Sequence, residues 1–452
     1  MKKIIIFTCI ILLIIPILFE RIYDDEAIYW SRSKSVIEKG LLEIPKMTRM
    51  PFAMLFVAPF LGLNDSIFVA RFISALFAIA SAVIIFEIVK TYSNEQAAFI
   101  SALLFIFSFQ TIRFATRFYL DIYGVFFFLL SLYLIKKNRV KMAGLFFALA
   151  MLSREIWFGL YPFMIIYLWK NKKSVNSFII LSAIPVLISA LFIHLTVGLG
   201  TYLSYSGFAQ TTGYVSNNLS EIPLYLAQSW TEFLIVQIIT VVGFISWVWN
   251  KRGNLLILIL PQFLIISLIQ GFIYNGALTQ YAMGLQASMA LLAGPGIVWI
   301  WKKYFQKYPL NISLFSVLIL QFLLFSYLAT ILSLRGAIGV HDFGYWDDEA
   351  VIQLLNQKAG NESTAGFHGA FIKDAKSWVW YERDVEKVLQ LEPDWYVVTE
   401  PQLIKFKTES ANTSFVEIYR IGPYIVLHSH PRGHLHEVIA PNEEFNEWMF
   451  RR

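Results

Sequence analysis

What most constrains this chain is the recurrence of long apolar runs. Segments of roughly 18–22 residues, nearly free of charge, repeat between residues 4 and 334, and each can cross a bilayer as a helix. The composition agrees. Of 452 residues, 57% are hydrophobic, 17% aromatic and only 15% charged, less charge than a soluble chain of this length carries. The expected fold class is an α-helical polytopic membrane protein. The formal net charge of +6 is modest, and much of the Lys and Arg lies in short clusters between the runs. That pattern encodes topology and gives no nucleic-acid footprint. The one cysteine, Cys9, lies in the first run, which excludes intrachain disulfides and Cys-based metal sites. Met1-Lys2-Lys3 before an apolar run has the outline of a signal peptide. The run ends in Pro16-Ile-Leu-Phe-Glu20 with no Ala-x-Ala-like site, so an uncleaved first span is expected.

The basic clusters orient the spans. Lys2-Lys3, Lys136-Lys137-Asn-Arg139-Val-Lys141, Lys170-Asn-Lys172-Lys173, Lys251-Arg252, and Lys302-Lys303 with Lys307 should all be cytoplasmic. Runs at 4–20, 66–89, 96–112 and 121–135 deliver the 136–141 cluster to that side. The next stretch, 142–169, has basic flanks at both ends, so it enters and leaves on one side. At roughly 28 residues it is too short for two full spans of ~20 each. It reads as two short helices meeting inside the membrane, with Ser153-Arg154-Glu155 at the tip, where charge is tolerated only against protein or water. A single long span is the alternative, and it would invert every later cluster. Runs at 177–197, 231–249, 255–273, 281–301 and 311–334 bring the total to about eleven spans. The expected placement is a multi-pass protein of the cell membrane, N-terminus cytoplasmic and C-terminus outside.

This topology divides the chain into a transmembrane domain, 1–335, with an outer loop at 21–65, and a small extracytoplasmic α/β domain, 336–452. In the latter, Asp347 to Lys358 has helical spacing, and Trp395–Thr399, Phe415–Ile421 and Tyr424–His428 have strand character. Sequons at Asn218, Asn361 and Asn412 fall on the outer side and permit glycosylation.

The outer loop opens with three acids, Asp24, Asp25 and Glu26, directly after the first run. Carboxylates close to hydrocarbon are kept for chemistry, ion handling or helix capping. Ala27, Trp30, Ile37 and Leu41 then follow helical spacing, which predicts an amphipathic interfacial helix anchored by Trp30 and ended by Pro45. Pro51 to Leu63 reads as a second surface helix.

An ordered series now becomes specific: Asp25-Glu26-x-x-Tyr29, Gly40, Arg49-Met-Pro51-Phe52, Leu61-Gly62 and Ala70-Arg71-Phe-Ile-Ser-Ala-Leu-Phe77. Arg117-Phe-Tyr-Leu-Asp121 and Gly144-Leu-Phe-Phe-Ala-Leu-Ala-Met-Leu-Ser-Arg154 continue it. The series resembles the first outer loop and following spans of the GT-C glycosyltransferases, with protein O-mannosyltransferases and the aminoarabinose transferases of lipid A as nearest relatives. It covers roughly residues 1–170. Departures are the single proline, Pro51, of the basic-Pro-Pro segment, arginine at 154 in place of lysine, and no Trp-Trp-Asp motif; Tyr345-Trp346-Asp347 does not match it.

The resemblance implies sugar transfer from a polyprenyl-phosphate-linked donor to a protein, lipid or glycan acceptor on the outer face. Such chemistry needs a carboxylate to take the acceptor proton and cations to neutralise the leaving phosphate. Asp25 is then the base, with Glu26 its neighbour and alternate. Capping of the surface helix by Asp24 or Asp25 is the alternative. Arg49, Arg117 and Arg154 are the phosphate-binding candidates, since arginine suits bidentate phosphate contact. Against this, Arg117 has Asp121 one helical turn on, and Arg154 has Glu155 beside it. Asp121 and Tyr29 are substrate-positioning candidates, and Tyr274, Asn275, Gln280 and Tyr281 are weaker cavity-lining ones. The sequence assigns no cofactor with certainty, and a divalent metal is compatible with the chemistry. His428, His430, His434 and His436 lie within nine positions and have metal-ligand chemistry, but a solvated strand and turn accounts for them as well. A transporter or lipid-linked-sugar flippase is the competing class. It predicts internal repeats with matching broken helices, and none is evident in the sequence. A non-catalytic membrane subunit is a third class, which would have no need of the acidic loop together with Arg117 and Arg154.

Overall fold

The computed structural model describes residues 2–14, 17–18, 24–40, 50–154, 156–197, 257–258, 261–262, 283–304, 345–358, 364–366, 379–381, 394–399, 415–421 and 424–429. These form two compact units. One takes in Met1–Leu18 and Arg32–His341, and the other Phe19–Ser31 and Asp342–Arg452.

The larger unit is helical. Helix α1 (Lys2–Cys9) runs into a five-residue π-helical turn, Ile10–Ile14. Helix α2 is Asp24–Lys39, of which residues 24–31 count with the smaller unit and 32–39 with the larger; α3 is Phe52–Leu63, α4 is Ile67–Tyr92 and α5 is Glu95–Ile106. Then follow α6 (Phe109–Ala115), α7 (Asp121–Lys136), α8 (Val140–Ser153), α9 (Ile156–Lys170), α10 (Val175–Val197) and α11 (Met283–Tyr304). Among the described residues, α4 and α10 are long and apolar enough to cross a membrane. The expected spans at 231–249, 255–273 and 311–334 lie wholly or largely outside the described residues.

Local chemistry sets the breaks. The expected run 96–112 is two helices, because the Ser108 hydroxyl accepts from Thr111 N–H at 3.2 Å and starts a new helix at Phe109. Helix α2 ends at Lys39 and not at Pro45. Gly40 takes φ +85° and returns its N–H to the Val36 carbonyl, a left-handed cap that favours glycine. The 142–169 stretch breaks where the basic flanks require. Arg154 is extended (φ −155°, ψ 136°) between α8 and α9. Lys173, past α9, hydrogen-bonds Asn138, ahead of α8, so the pair starts and finishes at the same end. At 14 and 15 residues each helix rises only about 20 Å, short of a full span. Other basic residues share that end. Lys2 pairs with Glu87, and Lys2 and Lys90 both sit over the Phe86 ring, at 5.7 and 5.8 Å.

Aromatic packing holds the centre. Phe56 of α3 meets Phe77 of α4 at 5.3 Å and Tyr123 of α7 at 6.4 Å, and Phe52 meets Phe127 of α7 at 5.4 Å. Each such pair adds about 0.5–1.5 kcal/mol beyond area burial. Helices α8 and α10 approach through Gly144, where an added Cβ would stand 2.5 Å from the Phe178 backbone oxygen. Gly144→Ala should therefore cost about 1–3 kcal/mol through overpacking against backbone. Gly62→Ala, facing only the Ile37 side chain at 3.5 Å, should be tolerated. Thermal unfolding of the detergent-solubilised protein checks both; equal melting temperatures for the two variants would contradict the close α8–α10 contact.

In the smaller unit, helix α12 (Tyr345–Lys358) accompanies a five-stranded sheet. The strands are β1 (Thr364–Gly366), β2 (Val379–Tyr381), β3 (Trp395–Thr399), β4 (Phe415–Ile421) and β5 (Tyr424–Ser429), in the order β2-β1-β3-β5-β4. The first three pair in parallel, and β3, β5 and β4 pair antiparallel. Ile421 faces Tyr424 across a two-residue Gly-Pro hairpin loop. Val351, Leu354 and Leu355 of α12 share a core with Trp395, Val397, Ile421, Tyr424 and Val426. The expected helix and three strands are present; β1 and β2, three residues each, are additions.

Candidate active site

The hairpin of α7 and α8 builds the centre of the site. Lys137, Asn138 and Arg139 turn the chain, with Asn138 left-handed at φ 60° and Arg139 N–H bonded to the Leu134 carbonyl. The arms have 16 and 14 residues and pack antiparallel. Ser131 donates to the Ala143 carbonyl at 2.8 Å, and one turn further out the rings of Phe128 and Phe147 meet at 6.5 Å. Followed to its open end, this register brings the first residue of α7, Asp121, opposite the residue that ends α8, Arg154. Arg154 Nε donates to Asp121 Oδ1 at 2.9 Å, with the side chains 0% and 4% exposed.

Arg154 thus has a carboxylate partner 33 positions away, which the sequence alternatives did not name. Glu155 is outside the described residues, and Arg154 is fully buried and so does not snorkel to a surface. Arg117 lies in the turn ahead of α7 and not on the helix, so the one-turn spacing to Asp121 has no helical geometry behind it. Thr116 caps α6 with its N–H on the Ile112 carbonyl, and Tyr119 N–H returns to the Arg117 carbonyl at 3.0 Å. Arg117 is itself fully buried. A buried ion pair is weak evidence for stability, since a hydrophobic replacement often does as well.

On α2 the acids occupy the first helical turn, where carboxylates oppose the positive end of the helix dipole. Asp25 is within the helix and not at the flanking cap position. Glu26 is fully buried, and with Tyr29, Trp30, Ser33 and Val36 it forms one buried face. Trp30, at 0% exposure, is thus a packed residue and not an interfacial anchor, while Ile37, expected on the apolar face, is 43% exposed. The side chains of Asp24 and Asp25, and all of Arg49, Tyr274, Asn275, Gln280 and Tyr281, lie outside the described residues.

Arg71 had a place in the sequence series but no assigned role. It is fully buried, and its Nη1 donates to the Ile17 carbonyl at 3.1 Å, tying α4 to the end of the first apolar run. An arginine within an apolar run was itself the available signal. Within the next two turns, Tyr123 bonds Ser74 at 3.1 Å and packs on Phe77 at 4.5 Å, bracing α7 against α4 near Asp121. Of the histidines, His428 stands on β5 with its ring 4.5 Å from that of Trp395; His430, His434 and His436 lie outside the described residues. No group of three or more His, Cys, Asp or Glu suited to a metal occurs among the described residues.

Comparison with known proteins now places the architecture. The chain superposes on ArnT from Cupriavidus metallidurans bound to undecaprenyl phosphate with a TM-score of 0.63, at 11% identity, over 94% of this chain and 97% of that one. It superposes on the oligosaccharyltransferase AglB from Archaeoglobus fulgidus, in complex with an inhibitory peptide and a dolichol-phosphate, with a TM-score of 0.56, at 12% identity, over 88% and 69%. The same Archaeoglobus enzyme tethered to an acceptor peptide containing the NVT sequon gives a TM-score of 0.56 at 11% identity, over 88% and 68%. The fold is that of the GT-C membrane glycosyltransferases. Residues 48–202 match the family model of the dolichyl-phosphate-mannose-protein mannosyltransferases, a segment that takes in Arg49-Met-Pro51, Arg71, Arg117–Asp121 and the 144–154 hairpin; Asp25, Glu26 and Tyr29 lie ahead of it. No curated protein matches the chain in a sequence search.

Proposed function

We propose that this chain is a GT-C glycosyltransferase that moves a sugar from a polyprenyl-phosphate-linked donor to an acceptor on the outer face of a membrane. The observation that carries the reading is the buried Arg154–Asp121 pair, placed by the α7–α8 hairpin inside the segment that matches the mannosyltransferase model. The relatives of the same fold that were captured with undecaprenyl phosphate and dolichol-phosphate support the donor class.

In this reading Asp25 is the general base and Glu26 its buried neighbour. The acceptor hydroxyl attacks the anomeric carbon and its proton passes to the carboxylate. The bond to the phosphate oxygen breaks in the same displacement, which inverts the anomeric centre. Arg49, Arg117 and Arg154 hold the lipid phosphate as its charge grows. Asp121 fixes Arg154, and Tyr29 positions substrate. Of the outer domain, 336–452, the reading requires no chemistry, and the four histidines are incidental. About eleven spans, a cytoplasmic N-terminus and the 1–335 and 336–452 division complete the proposal.

Purified protein in liposomes, given a radiolabelled polyprenyl-phosphate sugar and an acceptor extract, should move label from the lipid to the acceptor fraction. Label that stays on the lipid but crosses to the other leaflet would favour the flippase class instead.

A further inference from the structure

The indole of Trp157 is fitted between two glycines on different helices. A Cβ on Gly124 of α7 would stand 2.2 Å from its Nε1 and 3.0 Å from its Cδ1. A Cβ on Gly284 of α11 would stand 2.8 Å from its Cη2 and 3.1 Å from its Cζ2. The pyrrole edge therefore lies on α7 and the benzene edge on α11. The ring is 2% exposed and stacks on Phe128 at 4.7 Å and 27°.

Its location matters more than its burial. Trp157 stands in the first turn of α9, and its N–H returns to the Arg154 carbonyl at 3.3 Å. Gly124 lies one turn into α7 from Asp121. The two partners of the ion pair are thus each three positions from one indole contact. On the far side, Gly284 is near Gln262 Oε1, and Gln262 is bonded to Ser288 of α11 at 2.7 Å and to the Leu258 carbonyl at 3.0 Å. That end of the strut is consequently held by hydrogen bonds as well as by packing.

We infer that Trp157 is a positioning residue: a strut from α11 to α7 that sets where Arg154 meets Asp121. Its role in turnover rests on the glycosyltransfer reading; its role in holding the ion pair does not. Misplacement by about 1 Å at a catalytic group can cost about 10²-fold in rate. A side chain at Gly124 or Gly284 would meet the Trp157 ring at 2.2 or 2.8 Å, so the ring, three positions from Arg154, or the facing helix has to shift.

Two measurements on the full chain test this. In the first, Gly284→Ala should lower kcat/KM by about 100-fold with the protein still folded and monodisperse. Trp157→Phe removes Cζ2 and Cη2, the atoms that meet the new methyl, so the double variant Gly284→Ala/Trp157→Phe should recover at least about tenfold of that loss. Relief of the clash alone would move kcat/KM only in step with the melting temperature, so the positioning role is read from a loss and recovery of kcat/KM larger than the melting temperatures account for; absence of recovery, or a change in kcat/KM that follows stability alone, overturns the inference. The second measurement uses no substrate. Thermal unfolding of Trp157→Phe, Arg154→Gln and the double variant should give losses that are less than additive, since a loosened strut no longer fixes the pair. Additive losses overturn the inference whether or not the chain transfers a sugar. A wild-type protein with no transferase activity but coupled melting would remove the function reading and leave the strut standing.

Discussion

Asp25→Asn is expected to lower turnover by about 10³-fold while leaving the donor KM nearly unchanged. The substitution keeps the shape of the side chain and removes its ability to take a proton. Positions in the same helical turn provide the control. Asp24, Asp25 and Glu26 all lie at the start of α2, a position where a carboxylate is typically worth about 0.3–1 kcal/mol to a helix. Asp24→Asn loses the same dipole interaction and should melt like Asp25→Asn, yet retain turnover. Glu26→Gln changes a fully buried group, so its larger effect should be on stability. Equal loss of turnover in the Asp24 and Asp25 variants would return the acids to a structural role and remove Asp25 as the base.

The second large effect belongs to the buried pair. Asp121→Asn leaves the Arg154 guanidinium, at 0% exposure, without the carboxylate that accepts from its Nε. Breaking one side of such a pair costs about 3–5 kcal/mol, enough to lower the melting temperature clearly. Removing both partners is different, because a well-packed apolar pair is often neutral or better. Asp121→Leu with Arg154→Met should therefore restore the melting temperature towards that of the unaltered protein and still show no transfer. Transfer by that double variant would show that the pair only holds helices together.

Much of this was legible in the sequence, for identifiable reasons. Basic flanks at 136–141 and 170–173 forced a there-and-back path, and the break falls at Arg154 as that argument required. The strands Trp395–Thr399, Phe415–Ile421 and Tyr424–Ser429 were readable from their runs of β-branched and aromatic residues. Three-residue β1 and β2 carry too few positions to show a period. Arg117 and Arg154 were found as charges in apolar surroundings, but the pairing of Arg154 with Asp121 was not. Asp121 and Arg154 are 33 positions apart, and only the packing of α7 on α8 brings them together. Trp30 was misread for a related reason. An aromatic residue next to a predicted membrane surface looks like an anchor until the covered face, Glu26-Tyr29-Trp30-Ser33, is known. Trp157 gave no signal, since its meaning lies in two glycines on other helices.

The hairpin turn at Asn138 has a consequence for how this chain can vary. Asp121 and Arg154 stand at the two tips of a folded rule whose crease is Lys137-Asn138-Arg139, and neither tip can be moved independently. One residue inserted in either arm advances that tip by about 1.5 Å and swings it by about 100° around its helix. Drift in sequence along the arms is therefore permitted where drift in length is not. Natural insertions and deletions in chains of this kind should collect outside this hairpin and be missing between residues 121 and 154.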